Sequence, residues 1–265
     1  MLFFGLMEKI LAFIFGLAWG SFANVCIYRL PRGRSLVMPG SQCPACGHAI
    51  PWYDNIPLLS WLILRGKCRF CQARISGRYF LVELMSGCLF LWLFVRYGFS
   101  WQFLVLAIFL LSLIIVSFID IDTYLIPDVI VLPGILVGFA SAALVSEFFQ
   151  DMNIVGRIIY SGVGIFAGGG LLWLIGILGK LAYKKDAMGG GDVKLLAMIG
   201  AYLGWKSVLI TIFFAALLGS IISLVLIAMK LKKMDDYIPF GPYLALGAVL
   251  ALAWKGSTFY GFYIP

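Results

Sequence analysis

The most prominent feature of this chain is a series of uncharged apolar runs separated by short charged connections. Four runs are long: 18 residues in Ile10–Ile27, 19 in Trp101–Ile119, 22 in Ile158–Gly179 and 23 in Ser207–Met229. A helix needs about 20 residues to cross the hydrocarbon layer of a bilayer. Each of these runs is therefore predicted to be a transmembrane helix.

Four weaker apolar runs complete the predicted set. They cover residues 79–95, with Glu83 inside, and residues 129–145, 195–202 and 238–254. The run 195–202 is short and fits a half-helix or a re-entrant segment. The sequence thus predicts an all-α polytopic membrane protein with about eight transmembrane helices. The first is expected to be retained, because Glu8 and Lys9 do not form the basic start of a signal peptide.

Composition and charge agree with this topology. The chain is 63% hydrophobic and only 12% charged, whereas a soluble domain has about 25% charged residues. Fourteen of the 20 basic residues lie in the connections after the first, fifth and seventh predicted helices, including Lys184 and Lys185. By the positive-inside rule, the side of the membrane that holds these connections is cytoplasmic. Glu147 and Asp151 lie in a connection on the other side. The net charge of +8 follows from topology, so no nucleic-acid partner is expected.

Residues 29–78 form the only connection long enough to be a small extramembrane domain. Two Cys-x-x-Cys pairs in it are separated by twenty-one residues, a pattern close to that of a tetrahedral structural zinc site. The alternative is two disulfides, which are rare in the reducing cytoplasm. The predicted zinc ligands are Cys43, Cys46, Cys68 and Cys71.

The remaining histidine and cysteines have simpler interpretations. His48 is the only histidine of the chain and follows the first pair by two residues. It could replace one sulfur ligand, but four cysteines already complete the site. Cys26 and Cys88 lie in or beside apolar runs and are interpreted as small buried hydrophobic residues.

Three carboxylates follow the third predicted helix, in "FIDIDTYLIPD" at residues 118–128. A helix carboxyl end favours cations, so Asp120 stands at an unfavourable position. Ionisable groups at membrane depth mark function. Asp122 lies about 200° further around an ideal helix and is interpreted as solvated or supporting. Asp128 fits the N-cap of the next helix.

Asp192 follows three glycines in "AMGGGDVKLLAMIGAYLG". One interpretation is a second N-cap. The cap does not explain Gly189, Gly190 and Gly191, whose bare backbone suits the close approach of a ligand. Asp120 and Asp192 are both predicted at the cytoplasmic membrane boundary, where they meet if their helices are neighbours.

Two carboxyl groups that share a partly desolvated pocket cannot easily both ionise. The charged one can take a proton from water while the neutral one donates to a peptide carbonyl. This is the chemistry of aspartic proteases, and it requires neither a nucleophilic serine nor a histidine. Asp120 and Asp192 would suit this chemistry if they meet, and the N-cap interpretation of Asp192 stays open at this point.

The chain resembles the prepilin leader peptidases of type IV pilus and type II secretion systems, which are membrane aspartic proteases of the GxGD type. Beyond the double Cys-x-x-Cys, the resemblance rests on several ordered segments. They are "GSFANVCIYRLP" at 20–31, "PGSQCPACGHAIPWYDNIPLLSWL" at 39–62, "CRFCQARIS" at 68–76, "RYFLVELMSG" at 78–87, "FIDIDTYLIPD" at 118–128, "GGGDVKLLAMIGAYLG" at 189–204 and "IPFGPYLALG" at 238–247.

The resemblance implies catalytic Asp120 and Asp192, with Gly189 and Gly191 in a turn that faces the substrate. It implies substrates that are prepilins or pseudopilins with a short basic leader, cleaved at the cytoplasmic face of the bacterial inner membrane. It also implies N-methylation of the new amino terminus with S-adenosylmethionine. We find no soluble-type nucleotide fold, and "GIFAGGGLL" at 164–172 is interpreted as close helix packing.

Two further residues are candidate contacts to substrate. Glu83 could attract the basic leader, although pairing with Arg78 or a buried polar network explains it equally well. Lys194 could bind a substrate carboxylate or act on an aspartate, but a lysine that extends to the membrane interface is the simpler interpretation.

The predicted domains are a first helix at 1–28, a zinc-binding domain at 29–78 and a peptidase core at 79–265. Two other function classes remain open at this point. A proton-coupled transporter would use the buried aspartates as a relay, although no inverted repeat of either aspartate region is seen. A zinc-organised scaffold accounts for the cysteines but leaves Asp120 unexplained.

Overall fold

A computed structural model describes residues 2–145, 152–183, 188–233 and 237–255. Within these ranges the regular structure is helical, and the only β pairing is two isolated antiparallel bridges, Gln42 with Ala49 and Lys67 with Arg74. The all-α class is therefore confirmed for the described chain. Glu147, Asp151, Lys184 and Lys185, which entered the topology argument, lie outside these ranges.

The α-helices follow the apolar runs of the sequence. Two 3₁₀ helices, Leu30–Arg32 and Trp52–Asp54, lie between the first two α-helices. The α-helices are α1 (Leu2–Arg29), α2 (Leu59–Ile63), α3 (Gly77–Tyr97), α4 (Trp101–Thr123), α5 (Asp128–Leu144), α6 (Ile154–Tyr183), α7 (Gly190–Leu203), α8 (Trp205–Ala228) and α9 (Gly241–Lys255).

Five of the described helices are long and apolar enough to cross a membrane: α1, α3, α4, α6 and α8. Helices α5 and α9 are apolar but shorter, and α7 has only 14 residues. A helix that short extends about 21 Å, less than the hydrocarbon layer. Eight helices thus match the eight predicted segments, whereas complete crossing by α5, α7 and α9 stays a prediction.

The chain divides into two compact units, Met1–Ile115 and Val116–Pro265. In the first unit α1 packs closely against α3. A Cβ added at Gly20 would lie 2.7 Å from the Cα of Glu83, so glycine permits the two backbones to approach. Nearby, the Asn24 side-chain amide donates a hydrogen bond to the Tyr79 carbonyl at 3.0 Å.

The second unit is built around α7, whose residues from Leu195 to Leu203 are all buried. Helices α5 and α6 pack against it, and α8 packs against α9. Gly164 of α6 and Gly200 of α7 face each other so closely that a Cβ on either would overlap the carbonyl of the other. The interpretation of residues 164–172 as a close-packing segment is therefore confirmed at Gly164.

Two helix caps differ from the prediction. The N-cap of α5 is Pro127, and Asp128 is the first residue of the helix. The N-cap of α7 is Gly189, and Asp192 is the third helical residue. The predicted N-cap position of Asp128 is therefore wrong, and so is the alternative interpretation of Asp192 as an N-cap, because each helix begins earlier than its apolar run.

We predict that Gly164→Ala lowers the thermal stability of the protein, whereas Gly170→Ala, six residues along the same helix, does not. Alanine favours a helix over glycine by about 1 kcal/mol, but overpacking at a tight contact costs about 1–3 kcal/mol. A Cβ at Gly170 meets nothing within 4 Å. Thermal unfolding in detergent, followed by circular dichroism, measures both variants. Equal melting temperatures would contradict the proposed contact.

Candidate active site

Asp120 lies in the last turn of α4, and its side chain is 4% exposed. The backbone N–H of Gly241 donates a hydrogen bond to its Oδ2 atom at 2.9 Å. Gly241 begins α9, so this N–H is one of the helix-start donors that have no partner inside their own helix. The start of α9 therefore supplies the positive end that the last turn of α4 lacks.

Asp192 lies in the first turn of α7 and is also 4% exposed. A negative charge is favourable there, because the first turn carries the positive end of the helix dipole. The backbone N–H of Gly189 is directed at its carboxyl group. Its Oδ1 atom is buried and has no hydrogen-bond partner among the described residues. This oxygen therefore lacks the hydrogen-bond partner that a buried carboxylate oxygen normally has.

The two aspartates face a common site. Their carboxyl groups are close enough for Asp120 to act electrostatically on Asp192. Tyr237 lies in the segment before α9, close to both aspartates. Burial raises the pKa of its hydroxyl, and the negative charges of Asp192 and Asp120 raise it further. Its ring also packs edge-on against Tyr124, with centroids 5.4 Å apart. The Tyr237 hydroxyl therefore borders the aspartate pair, although much of the residue is exposed.

The three glycines before Asp192 occupy different surroundings. A Cβ at Gly189 would lie 2.9 Å from Oδ2 of Asp192 and 3.7 Å from the Tyr237 hydroxyl. Gly190 has open space around it, and a Cβ at Gly191 would lie 2.7 Å from the Cβ of Ile126. Gly189 thus borders the carboxylate, whereas Gly191 allows close packing. That either glycine contacts substrate stays a prediction.

The other predicted polar residues lie around the pair. Lys194 forms an ion pair with Asp128, with 2.8 Å between the lysine Nζ and each carboxylate oxygen. Both side chains are largely exposed, so the pair contributes at most about 1 kcal/mol. Asp122 is exposed, as a solvated group would be. A role of Lys194 in substrate binding stays a prediction.

Glu83 belongs to the first unit, where it is 8% exposed. Its Oε2 atom accepts a hydrogen bond from the backbone N–H of Leu58 at 2.8 Å, and Ser21 also donates to its carboxylate. Leu58 has a φ of 60°, a conformation that costs a non-glycine residue about 1–3 kcal/mol. Glu83 thus holds the start of α2, and its predicted attraction for a basic leader stays untested.

The four cysteines form a cluster in which all sulfur atoms lie within 4.8 Å of one another. Two equivalent turns build it. The Cys43 N–H bonds the His48 carbonyl and the Cys68 N–H bonds the Ala73 carbonyl, each at 2.9 Å. Both turns contain a left-handed residue directly after the second cysteine, Gly47 with φ 70° and Gln72 with φ 59°.

The donor set of this cluster fits a tetrahedral zinc ion, which four thiolates bind without further ligands. Hydrogen bonds, first that from the Cys46 backbone, lower the pKa of the Cys43 thiol to about 7, whereas the pKa of the Cys71 thiol is raised to about 11, so the support for a metal site is the donor set and its geometry. The His48 ring instead stacks on Phe70, with centroids 3.6 Å apart, and it is not part of the cluster.

An ion pair holds the second turn of the cluster to the rest of the loop. The Arg69 guanidinium makes two hydrogen bonds to the Asp54 carboxylate. These hydrogen bonds hold the pKa of Asp54 below its usual value. Asp54 ends the 3₁₀ helix Trp52–Asp54, so the contact joins this helix to the segment between Cys68 and Cys71.

Sequence reasoning singled out neither Gly241 nor Tyr237. A signal for Gly241 was present, because proline in the first turn marks a helix start and Pro242 follows it in "IPFGPYLALG". Nothing in the sequence pairs that start with Asp120, which is 121 positions away. Tyr237 carries no local signal and is found only from the folded chain.

These features define a class: a multi-pass helical membrane protein with a cysteine cluster that fits a metal ion and a buried pair of carboxyl groups. Two family profiles match the sequence. The profile described as Bacterial Peptidase A24 N-terminal domain covers residues 14–97, and that of the Type IV leader peptidase family covers residues 107–224.

Curated relatives extend the match over nearly the whole chain. A Prepilin leader peptidase/N-methyltransferase of Stutzerimonas stutzeri is 38% identical over 92% of this chain and 89% of its own length. Proteins of the same name from Pseudomonas aeruginosa and Myxococcus xanthus are 36% and 39% identical, over 91% and 85% of this chain and 88% and 65% of their own lengths. No solved structure matches.

The chain belongs to the type IV leader peptidase family. The family and the enzyme class expected from the sequence are thereby confirmed. The transporter and scaffold alternatives lose their support, because the match covers the aspartate helices as well as the cysteine domain.

We predict that Gly189→Ala reduces catalysis by about a hundredfold, the loss typical of a 1 Å misplacement of a catalytic group. The added Cβ would press on Oδ2 of Asp192 at 2.9 Å. Gly190→Ala is the matched control, since a Cβ there meets nothing within 4 Å. Initial rates of precursor cleavage measure both. Equal activity of the two variants would show that Gly189 does not border the working carboxylate.

Proposed function

We propose that this protein removes the leader peptide from type IV prepilins or pseudopilins at the cytoplasmic face of the inner membrane. The observation that carries this proposal is the buried pair Asp120 and Asp192, set at the end of one helix and the start of another. The names of the relatives support the substrate class.

In the proposed mechanism one aspartate of the pair is ionised and the other keeps a proton. The ionised carboxylate takes a proton from a water molecule as the water oxygen attacks the scissile carbonyl carbon. The protonated carboxyl group donates its proton to the carbonyl oxygen, which gives a neutral tetrahedral intermediate. When this intermediate collapses, the C–N bond breaks and the leaving nitrogen receives a proton from the pair.

The two aspartates have different surroundings, and each surrounding suits a different step of the proposed reaction. The Gly241 N–H stabilises negative charge on Asp120. Asp192 keeps Oδ1 without a partner among the described residues, so it can hold the water or the scissile carbonyl. We therefore infer that Asp120 is the more firmly fixed carboxylate and that Asp192 is the group that exchanges partners during the reaction.

We propose a second activity, N-methylation of the new amino terminus with S-adenosylmethionine as methyl donor. The names of the relatives support it, and among the described residues we assign none to the donor. A structural zinc ion at the four cysteines would hold the small domain together, because so short a segment buries little apolar surface. Zinc has no step in the proposed peptide cleavage.

The catalytic pair is tested by cleavage of a prepilin precursor with purified protein in detergent. We expect Asp120→Asn and Asp192→Asn each to lose at least about a hundredfold in rate, the contribution of a general acid or base. Asparagine keeps the shape and hydrogen-bonding capacity of the side chain, so the folds should be retained. Asp122→Asn, on an exposed carboxylate in the same turn as Asp120, should remain active. A near wild-type rate for Asp192→Asn would refute the mechanism.

The role of the metal is tested by removing it. We expect about one zinc ion per chain for wild type, loss of zinc in Cys46→Ser, and a larger fall in methylation than in cleavage. The reason is that the cluster organises a domain distant in sequence from the aspartates. The control is Cys88→Ser, because Cys88 lies outside the cluster and is exposed, which corrects its predicted burial. Metal analysis and mass spectrometry of the product measure these effects, and equal loss of both activities would contradict the prediction.

A further inference from the structure

The connection between α1 and α3 contains a short apolar segment that has no role in the chemistry described above. Residues 55–64 carry no charged side chain, and α2 lies within them. The exposed residues of α2 are all apolar: Leu59, Leu62 and Ile63 are each more than half exposed. An uncharged run of about ten residues is typical of a buried core helix or of a segment that enters a membrane surface. The exposure of these three side chains excludes a core helix.

The polar groups of α2 point inward, which is the reverse of a helix that faces water. Ser60 is buried. Its hydroxyl donates a hydrogen bond to the Tyr53 carbonyl at 3.1 Å and accepts one from the Ile56 N–H at 3.0 Å. The indole N–H of Trp61 donates to the Ile75 carbonyl at 3.4 Å. Exposed apolar faces of this kind mark contacts with a membrane or with another protein, so the outer face of α2 suits an apolar surrounding.

Helix α2 lies beside the first two turns of α3. The Leu58 N–H, at the start of α2, donates to the Glu83 carboxylate, and the rings of Trp61 and Phe80 pack with centroids 5.3 Å apart. Helix α3 is long and apolar enough to cross a membrane. Its 21 residues extend about 31 Å, hardly more than the hydrocarbon layer of about 30 Å. A crossing α3 therefore places its first two turns inside this layer or at its boundary, and α2 lies there with them.

The backbone of this segment is largely satisfied within the protein. Hydrogen bonds are donated by the backbone N–H groups of Ile56, Leu58, Leu59, Ser60, Leu62 and Leu64. Hydrocarbon offers no partner to a backbone group, so a segment at membrane depth must find its partners in the protein. The Leu58 N–H precedes the first turn of α2, where a helix has no acceptor of its own. Glu83 supplies that acceptor, which gives a role to a buried carboxylate that the peptide cleavage does not use.

Basic residues follow directly after the apolar face. Arg65 and Lys67 come just after α2, and both are exposed. Residues 29–78 contain eight basic residues and one acidic residue, Asp54, which is paired with Arg69. Clusters of basic residues beside a membrane attract anionic lipid headgroups. An apolar face followed by cations matches the order of a bilayer, in which the acyl chains lie beneath the phosphate groups.

We propose that α2 is embedded in the membrane leaflet next to the cysteine domain, with Leu59, Leu62 and Ile63 among the acyl chains and Arg65 and Lys67 at the phosphate groups. This leaflet is the one that the charge pattern predicts to be cytoplasmic. The cysteine domain is then held on the membrane surface by its own apolar segment, in addition to its links to α1 and α3. The inference does not depend on the proposed function.

The test identifies what lies against the last residue of α2. The photoreactive residue p-benzoyl-phenylalanine replaces Ile63 in the intact protein, reconstituted in phospholipid vesicles, and mass spectrometry after irradiation identifies the captured molecule. We expect an adduct with the mass of one phospholipid. Phe70 is the matched control, because it is also more than half exposed but lies at the tip of the hairpin closed by the bridge between Lys67 and Arg74. The same replacement there should capture no lipid.

A positive control makes every outcome decisive. Cys88 is exposed near the middle of α3, so p-benzoyl-phenylalanine at position 88 should capture lipid. If position 88 captures lipid and position 63 does not, the face of α2 lies in water and the inference is overturned. Equal capture at positions 63 and 70 would also overturn it, as would adducts from position 63 to a second copy of the chain, or to an added precursor, in place of lipid. A melting temperature equal to that of wild type shows that each variant is folded.

A second measurement tests the two basic residues through the choice of lipid. In vesicles that mix phosphatidylcholine with phosphatidylglycerol, we expect position 63 to capture the anionic lipid about fivefold more often than its share, the effect of one basic residue near an anionic surface. Arg65→Gln combined with Lys67→Gln should remove this preference and leave the capture of lipid intact. Arg96→Gln, at the opposite end of α3, is the control. An unchanged preference in the double variant would overturn the contact of Arg65 and Lys67 with phosphate groups.

Discussion

The hydrogen bond from the Gly241 N–H to Asp120 is the interaction on which the candidate site depends. A carboxylate in the last turn of a helix is unfavourable by itself, and in an apolar setting it has little water to compensate. The start of α9 provides that compensation. The proposed catalysis is thereby linked to packing, since α9, which packs against α8, must be in place before Asp120 can be held in its buried position.

The two aspartates are supported in different ways, although they are chemically identical. Asp192 belongs to the first turn of its own helix and is near the backbone of Gly189. Asp120 depends on a helix that follows it by more than a hundred residues. The asymmetry is useful for acid–base chemistry, because two carboxyl groups in unlike surroundings adopt unlike protonation states.

The long helices, the cysteine cluster and the two buried aspartates could all be predicted from the sequence, because each has a local signal: an uninterrupted apolar run, a Cys-x-x-Cys spacing, or a charge where none is expected. The contacts that complete the site had no such signal. Gly241 and Tyr237 reach the aspartates only through tertiary packing. The helix starts were misplaced for a related reason, since Gly190 and Gly191 are the first two residues of α7, and α5 begins at Asp128 directly after its N-cap Pro127.

The backbone contact between Gly164 and Gly200 has a consequence for how a cleavage position is chosen. Because carbonyl groups and Cα atoms meet there without intervening side chains, α7 has little freedom to slide along α6. Asp192 therefore keeps a fixed level along the axes of the surrounding helices. For the proposed function, this fixed level means that the position of the scissile bond relative to the membrane, and not the length of the leader, sets the bond that is cut.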